Sequence, residues 1–404
     1  MPPTVSVNFY APEVIADPWP HFAQIREAGP VVYNEALSVW HVHRHADVTR
    51  CLTDTGHLSS TVMKESAPWI ADSMIANDPP DHHRLRNPLQ SAFTKRGLAR
   101  WEPRVTALID DLFARFAAKV AGGGRVDLVD DFIWHIPSVV IAEMMGVPPE
   151  KRAAFHAWSE DIVTGVGGGT TDVSDLGRQK LARAQEASRL IREFLAEEIA
   201  RRRSRPADDL LGQAVAANDG GAMTDDELIQ TAVLLLIAGN DTTAKLLAQC
   251  AVKLFQFPGQ RDLLVEDPGL IPAAIEEVLR LEQLSLSVPR SVVNGPITIA
   301  GQVIPDGASV WLMTGTANRD PDVFPDADVL DVRRSRSAAH FGFGHGAHLC
   351  LGANLARMEV RIGLERILSR YPRYDVRGFE FSESWSVRGP VRIDFAPEPT
   401  AVMV

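Results

Sequence analysis

Phe341-Gly342-Phe343-Gly344-His345-Gly346-Ala347-His348-Leu349-Cys350-Leu351-Gly352 is the stretch on which the reading of this chain turns. Four glycines surround a lone cysteine, which leads into the helical run Ala353-Asn354-Leu355-Ala356-Arg357. Glycines allow close backbone approach to a flat ligand and left-handed turns. A cysteine at a helix entry has free amides and the helix dipole to favour its thiolate. Those are the requirements of an anionic sulfur ligand to iron, although a Gly-Cys pair alone is more often a buried structural thiol beside a turn.

Working outward, the apolar residues recur every three or four positions over Arg104–Val120, Ile136–Met145, Arg178–Arg203, Thr224–Leu254, Ile271–Leu281 and Cys350–Arg370, which predicts helices there. Strand signals are short: Val31–Tyr33 with Val39–Val42, Val288–Ile304 around the turn Ala300-Gly301, and Val387–Phe395. The glycine-rich stretches Gly165–Thr171 and Asn218–Gly221 read as mobile loops rather than linkers, because helical pattern resumes on both sides.

The 404 residues carry 52 acidic and 41 basic side chains, a formal charge of −11, which argues against nucleic acid, since such binding draws its affinity from neutralised phosphates. The three cysteines, Cys51, Cys250 and Cys350, are too scattered for a disulfide framework or a structural zinc site. Cys51 and Cys250 read as ordinary buried thiols. Prolines interrupt Met1–Pro20 without a basic segment and apolar run, which argues against secretion. The longest apolar stretch, Ala232–Ala238, is far below the roughly 20 residues of a membrane span. A cytoplasmic chain without a membrane anchor is expected.

The spacing F-x-x-G-x-H-x-C-x-G, met by Phe343, Gly346, His348, Cys350 and Gly352, resembles the haem-binding signature of the cytochrome P-450 family. The resemblance implies that Cys350 is the proximal ligand of haem b, that Phe343 packs near the sulfur and that His348 reaches a haem propionate. Its thiolate would donate electron density that favours O–O cleavage. Glu277-Val278-Leu279-Arg280 matches the family's E-x-x-R, in which Glu277 and Arg280 join an arginine of the later meander, Arg319 or one nearby, to brace the cysteine loop. Alone, such a pair would usually be a solvated helix contact.

Asp78-Pro79-Pro80-Asp81-His82-His83-Arg84-Leu85-Arg86 resembles a further family element that nominates His82 and Arg86 for the haem carboxylates, and Val288-Pro289-Arg290 adds Arg290. His83 and Arg84 read as solvent-facing charge. Within Leu234-Leu235-Leu236-Ile237-Ala238-Gly239-Asn240-Asp241-Thr242-Thr243 the small Ala-Gly pair opens room against a flat ligand, and a threonine bonding back to the helix can distort it into a groove. In isolation Asp-Thr would more often be a packed polar interruption. Beside Cys350 it resembles the family's acid-alcohol pair, with carboxylate and hydroxyl side by side: Thr242 would manage the oxygen and Asp241 would pass protons from solvent. Leu284, where many relatives carry proline, and Leu330, where an aromatic is common, depart from the pattern.

The resemblance implies the mainly α fold of the family, a triangular prism with a smaller β-rich region, as one domain over residues 1–404. It implies a monooxygenase inserting one atom of dioxygen into a small organic substrate, with electrons from NAD(P)H. No flavin or nicotinamide fingerprint is visible, so a separate electron donor is expected, a [2Fe-2S] ferredoxin with its ferredoxin reductase ahead of a flavodoxin. A peroxide-driven enzyme of the same fold and a non-catalytic haem sensor are the rival readings; a sensor would not need Asp241 and Thr242. By resemblance, Leu234, Ile237, Ala238, Leu286, Val288, Ser386 and Val387 line the substrate pocket, with Trp69, Ile70 and Met74 in its lid. That apolar lining suggests a terpenoid, aromatic or lipid-like compound.

Overall fold

The computed structural model describes residues 2–66, 70–167, 175–218, 220–335, 339–382 and 387–397. Helix dominates. The longest element, Asp225–Gln256, starts at a capping box in which Thr224 and Glu227 satisfy each other's backbone amides. Its 32 residues extend roughly 48 Å at about 1.5 Å per residue. Residues on every face of it are buried, from Leu228 through Leu236 and Leu246 to Leu254. A helix apolar all round belongs inside the molecule, and this one packs against His135–Met144 and Ala353–Arg370.

The helix at Ile271–Leu281 has the bounds its periodicity predicts. Those at Glu102–Ala121, His135–Met144 and Asp175–Ser204 differ from prediction by a few residues at most. Cys350 itself is not helical: the final long helix begins at Ala353 with Gly352 as its cap, so the cysteine sits in the turn before it. Among the described residues, the unpredicted helices of eight residues or more are Trp19–Ala28, His45–Thr53, Arg152–Gly167, Leu210–Ala217 and Pro258–Glu266. His45–Thr53 shows why: among polar residues it buries only Val48, Cys51, Leu52 and the Asp47 carboxylate, too few for a periodic signal. Of the two glycine-rich stretches, 168–174 and 219 lie outside the described residues.

A six-stranded mixed sheet runs in the order Thr4–Val5, Val31–Asn34, Val39–Val42, Ser309–Leu312, Val288–Val292, Leu58–Ser59. The stretch Val288–Ile304 divides: Val288–Val292 joins this sheet, placing Arg290 opposite Val310, while Ile297–Ile299 and Gln302–Ile304 form a separate hairpin. Ala300 and Gly301 both have positive φ at its tip, 47° and 81°, the geometry of a tight turn matched to strand twist. The terminal strand is Pro390–Pro397, paired antiparallel with Tyr374–Phe381.

Candidate haem site

The cysteine loop owes its shape to glycines at specific points. Gly344 and Gly346 have φ of 73° and 69°, and a Cβ on Gly346 would come within 2.6 Å of the Leu52 carbonyl oxygen, so helix His45–Thr53 can approach only a glycine there. The amide of Cys350 donates to the Phe343 carbonyl at 2.8 Å. The amides of Gly352 and Ala353 hydrogen-bond the sulfur, and Arg86 and Arg357 add positive charge. Burial nevertheless holds this thiol above its ordinary value. Cys350 retains accessible surface, whereas Cys51 and Cys250 are closed off; burial pushes Cys51 up to about 12. Arg357 lies 4.3 Å over the Phe343 ring and is held by both oxygens of Glu276.

Behind the loop, Glu277 and Arg280 are fully buried and joined by two hydrogen bonds of 2.7 and 2.8 Å. The third arginine is Arg334, whose Nε donates to Glu277 Oε1 at 2.9 Å. Arg319 instead bonds Asp328 and the Leu281 carbonyl and lies 3.7 Å over the Trp19 ring. Arg280 continues to the Asn318 carbonyl at 3.0 Å, and the Asn318 side chain accepts the Phe341 amide at 2.7 Å, linking the pair to the start of the cysteine loop.

Beside the loop stands a group of cationic and imidazole side chains to which no carboxylate among the described residues is hydrogen-bonded, Asp78 acting on them only through its charge. Arg290 is 3% exposed, and its one hydrogen bond among the described residues goes to the Pro289 carbonyl. Burial lowers it to about 10, against the weaker pull of Asp78. Arg86, also lowered by burial, has no carboxylate partner among the described residues. His82 is buried with both ring nitrogens unpaired, its ring 4.4 Å from that of His348. His348 bonds Ser60 Oγ at 3.0 Å. Burial lowers the two imidazoles to about 4 and about 3. His83 is solvent-facing, but Arg84 is not the free charge its sequence suggested: it grips Glu227 through two bonds, of 2.7 and 3.0 Å, and reaches the Ala222 carbonyl.

On the long helix, a Cβ on Gly239 would meet nothing within 4 Å, and Ala238 is exposed, which leaves the expected open space. Thr242 Oγ1 donates back to the Ala238 carbonyl at 2.6 Å. Asp241, its carboxyl raised by burial, is paired with Lys245 at 2.7 Å. The two polar groups are therefore engaged in opposite directions along the helix rather than side by side. Of the nominated pocket residues, Ile237, Val288 and Val387 are half-buried. Leu286 belongs elsewhere: at 1% exposure it packs with Phe9, Val32 and Met313 in a separate core cluster. Leu234, Ile70 and Met74 are likewise buried in the large core, and Ser386 and Trp69 lie outside the described residues. Of the departures, Leu330 is core, and the Leu284 carbonyl accepts the Arg388 amide at 2.9 Å.

The cytochrome P450 family model matches residues 32–259 and 265–376. The vitamin D(3) 25-hydroxylase of Pseudonocardia autotrophica is 36% identical, over 95% of this chain and 94% of its own. The erythromycin C-12 hydroxylase of Saccharopolyspora erythraea is 37% identical, over 87% and 86%. Among solved structures, CYP109E1 of Bacillus megaterium in complex with testosterone aligns with a TM-score of 0.85 at 29% identity, covering 96% of this chain and 100% of that one. The chain belongs to the cytochrome P450 family. It is a haem-binding monooxygenase of that family, an oxidoreductase that incorporates one atom of dioxygen. The side chains fit the group: haem brings two carboxylates and requires an axial donor, and here a buried and a half-buried arginine, neither paired with a carboxylate among the described residues, and two imidazoles flank an accessible thiol. No helix among the described residues is long and apolar enough to cross a membrane.

Proposed function

We propose that Cys350 is the axial thiolate, that Arg86, Arg290, His82 and His348 hold the haem carboxylates, and that Thr242 and Asp241 orient oxygen and supply protons for oxidation of a small, mostly apolar molecule. The observation that carries this reading is the cluster of two arginines and two imidazoles beside the cysteine loop. Buried cations without counter-charges are costly, and two carboxylates would convert that cost into charge-assisted hydrogen bonds. When bound, the haem supplies the centre at which dioxygen is activated. Two amides and the nearby Arg86 and Arg357 offset part of the cost that burial sets on the thiolate, and the protein leaves open space at Gly239 and Ala238.

For the substrate, Ile237, Ala238, Val288 and Val387 offer apolar contact with few donors, as in small-molecule pockets generally. A relative named for vitamin D(3) and a structural neighbour in complex with testosterone support a terpenoid, aromatic or lipid-like compound. Electrons come from NAD(P)H through a [2Fe-2S] ferredoxin and its reductase.

The test is spectral and catalytic. Cys350→Ser removes the absorption band of a thiolate-ligated ferrous carbonyl complex, while Cys51→Ser and Cys250→Ser keep it; an unchanged Cys350→Ser spectrum defeats the assignment. Ferredoxin, reductase and NAD(P)H support substrate oxidation, and equal turnover with hydrogen peroxide alone would favour the peroxide-driven reading.

A further inference from the structure

Asp241 is not held by Lys245 alone; the lysine is itself held by the chain passing over it. Lys245 is 5% exposed, and its ammonium donates to Asp241 Oδ2 at 2.7 Å and to the Val387 carbonyl at 2.9 Å. Gly389 lies flat on the lysine stem: a Cβ there would come within 2.6 Å of Lys245 Cβ and 2.8 Å of Cγ. One turn further along the helix, Gln249 donates to the Arg388 carbonyl at 3.2 Å. The segment Val387–Gly389 thus rests on the oxygen helix through two backbone carbonyls and a glycine, directly above the acid's partner. A Lys four residues after an Asp on an open helix face is a weak contact; in this buried setting each charge depends on the other.

Resting on the reading of Asp241 as the proton-passing acid, we infer that Lys245 is a positioning residue that holds the Asp241 carboxylate turned away from Thr242 and ties its release to movement of the Val387–Gly389 segment. A molecule that shifts Val387, a residue expected to face the substrate, withdraws one of two acceptors from a buried ammonium. Lys245 and Asp241 then rearrange together. Without substrate the acid stays latched, which restrains proton delivery until there is something to oxidise.

The charges around the acid are few. Lys245 is the one that acts on Asp241 among the described residues, and it opposes the raising effect of burial. Arg388, on the overlying segment, turns its guanidinium away to Glu282 and to the carbonyls of Ile15 and Ala16. Glu383 lies outside the described residues.

The measurement is the titration midpoint of the Asp241 carboxyl in the resting, haem-loaded enzyme without electron donor, read from its infrared C=O band and identified by the band's loss in Asp241→Asn. Lys245→Met should raise the midpoint by about one to three pH units, the usual effect of removing an adjacent opposite charge. Lys245→Arg should restore it toward the parent. Gly389→Ala, which keeps both charges and forces the lysine stem aside, should shift it in the same direction as Lys245→Met, and it carries the test if that variant does not fold. A parental midpoint in Lys245→Met overturns the latch; a parental midpoint in Gly389→Ala, with Lys245→Met shifted, overturns the tie to the segment. If the midpoints move as stated but Asp241→Asn turns over at the parental rate, the latch stands and the proton role of Asp241 falls.

Discussion

Arg334 closes the buried carboxylate of Glu277: its Nε lies 2.9 Å from Oε1, the oxygen that also accepts Arg280 Nη2 at 2.7 Å. One fully buried anion thus meets two arginines, and their remaining donors go to backbone carbonyls, among them Asn318, Ala327 and Val329. Glu277→Gln leaves both cations without their counter-charge. Removing one partner from a buried ion pair costs about 3–5 kcal/mol, and urea unfolding should show a loss of that order. Arg319→Ala, which spares this carboxylate, should cost markedly less, and equal losses would contradict the central place of Arg334.

Haem retention depends on the counter-charges offered to its carboxylates. Arg290→Ala and Arg86→Ala each remove one charge-assisted hydrogen bond, worth about 1.5–3 kcal/mol, or roughly ten- to a hundredfold in affinity. Transfer of haem to an apoglobin acceptor measures it. Parental retention in both variants would rule out the propionate assignment while leaving the cysteine ligand untouched.

Thr242 and Asp241 should fail in different ways. Thr242→Ala deletes the hydroxyl bonded to Ala238, so nicotinamide oxidation should continue while product falls and hydrogen peroxide accumulates. Asp241→Asn keeps the shape but removes the proton-carrying group, so total turnover should fall by about 10²–10⁴-fold, with a changed solvent isotope effect. Product formed per nicotinamide oxidised separates the two. Parental turnover and coupling in both would return them to the status of a packed polar interruption.

Acid sensitivity should reside partly in the N-terminal sheet. His41 is fully buried between Phe9 and Trp311, at centroid distances of 5.1 and 5.7 Å, with neither ring nitrogen bonded. Burial lowers it to about 3 from an ordinary value of 6.5. The unfolded chain therefore takes up a proton that the folded protein refuses, and stability present above pH 6.5 is lost as pH falls toward 3. This one residue contributes a slope of about 1.4 kcal/mol per pH unit in that window. His41→Phe should flatten the pH dependence of unfolding by that amount between pH 6 and 4, and an unchanged slope would show that His41 is not the source.

What the sequence discloses here follows from how local the cause is. The cysteine loop is legible because its glycines and cysteine stand together in a short stretch with Gly344 and Gly346 at positive φ, even though Gly346 also answers Leu52 from far upstream, and the long helix Asp225–Gln256 because burial on all sides forces an apolar run. Arg334 is hidden, since its partner Glu277 stands far upstream and nothing near Arg334 marks it. Arg84 misleads for the same reason: its nearby Asp81 suggests a solvated helix pair, while its firmer partner, Glu227, comes from another helix. Leu286 and Val288 read alike as apolar pocket residues, yet one fills a core cluster and the other stays half-buried. Only packing separates them. Lys245 is a buried cation in the middle of an apolar helix, and its meaning depends on a segment that returns over it near the end of the chain.

The grip of Arg84 on Glu227 has a mechanical consequence. Glu227 also accepts the Thr224 amide in the capping box, so a single carboxylate both closes the first turn of the oxygen helix and fastens it to the helix Asp81–Gln90. That shorter helix carries His82 and Arg86. Fraying at the start of the long helix and slackness in the helix that bears His82 and Arg86 are therefore coupled: on the proposed roles of these residues, losing Glu227 loosens both the helix of Thr242 and the seat of the haem carboxylates.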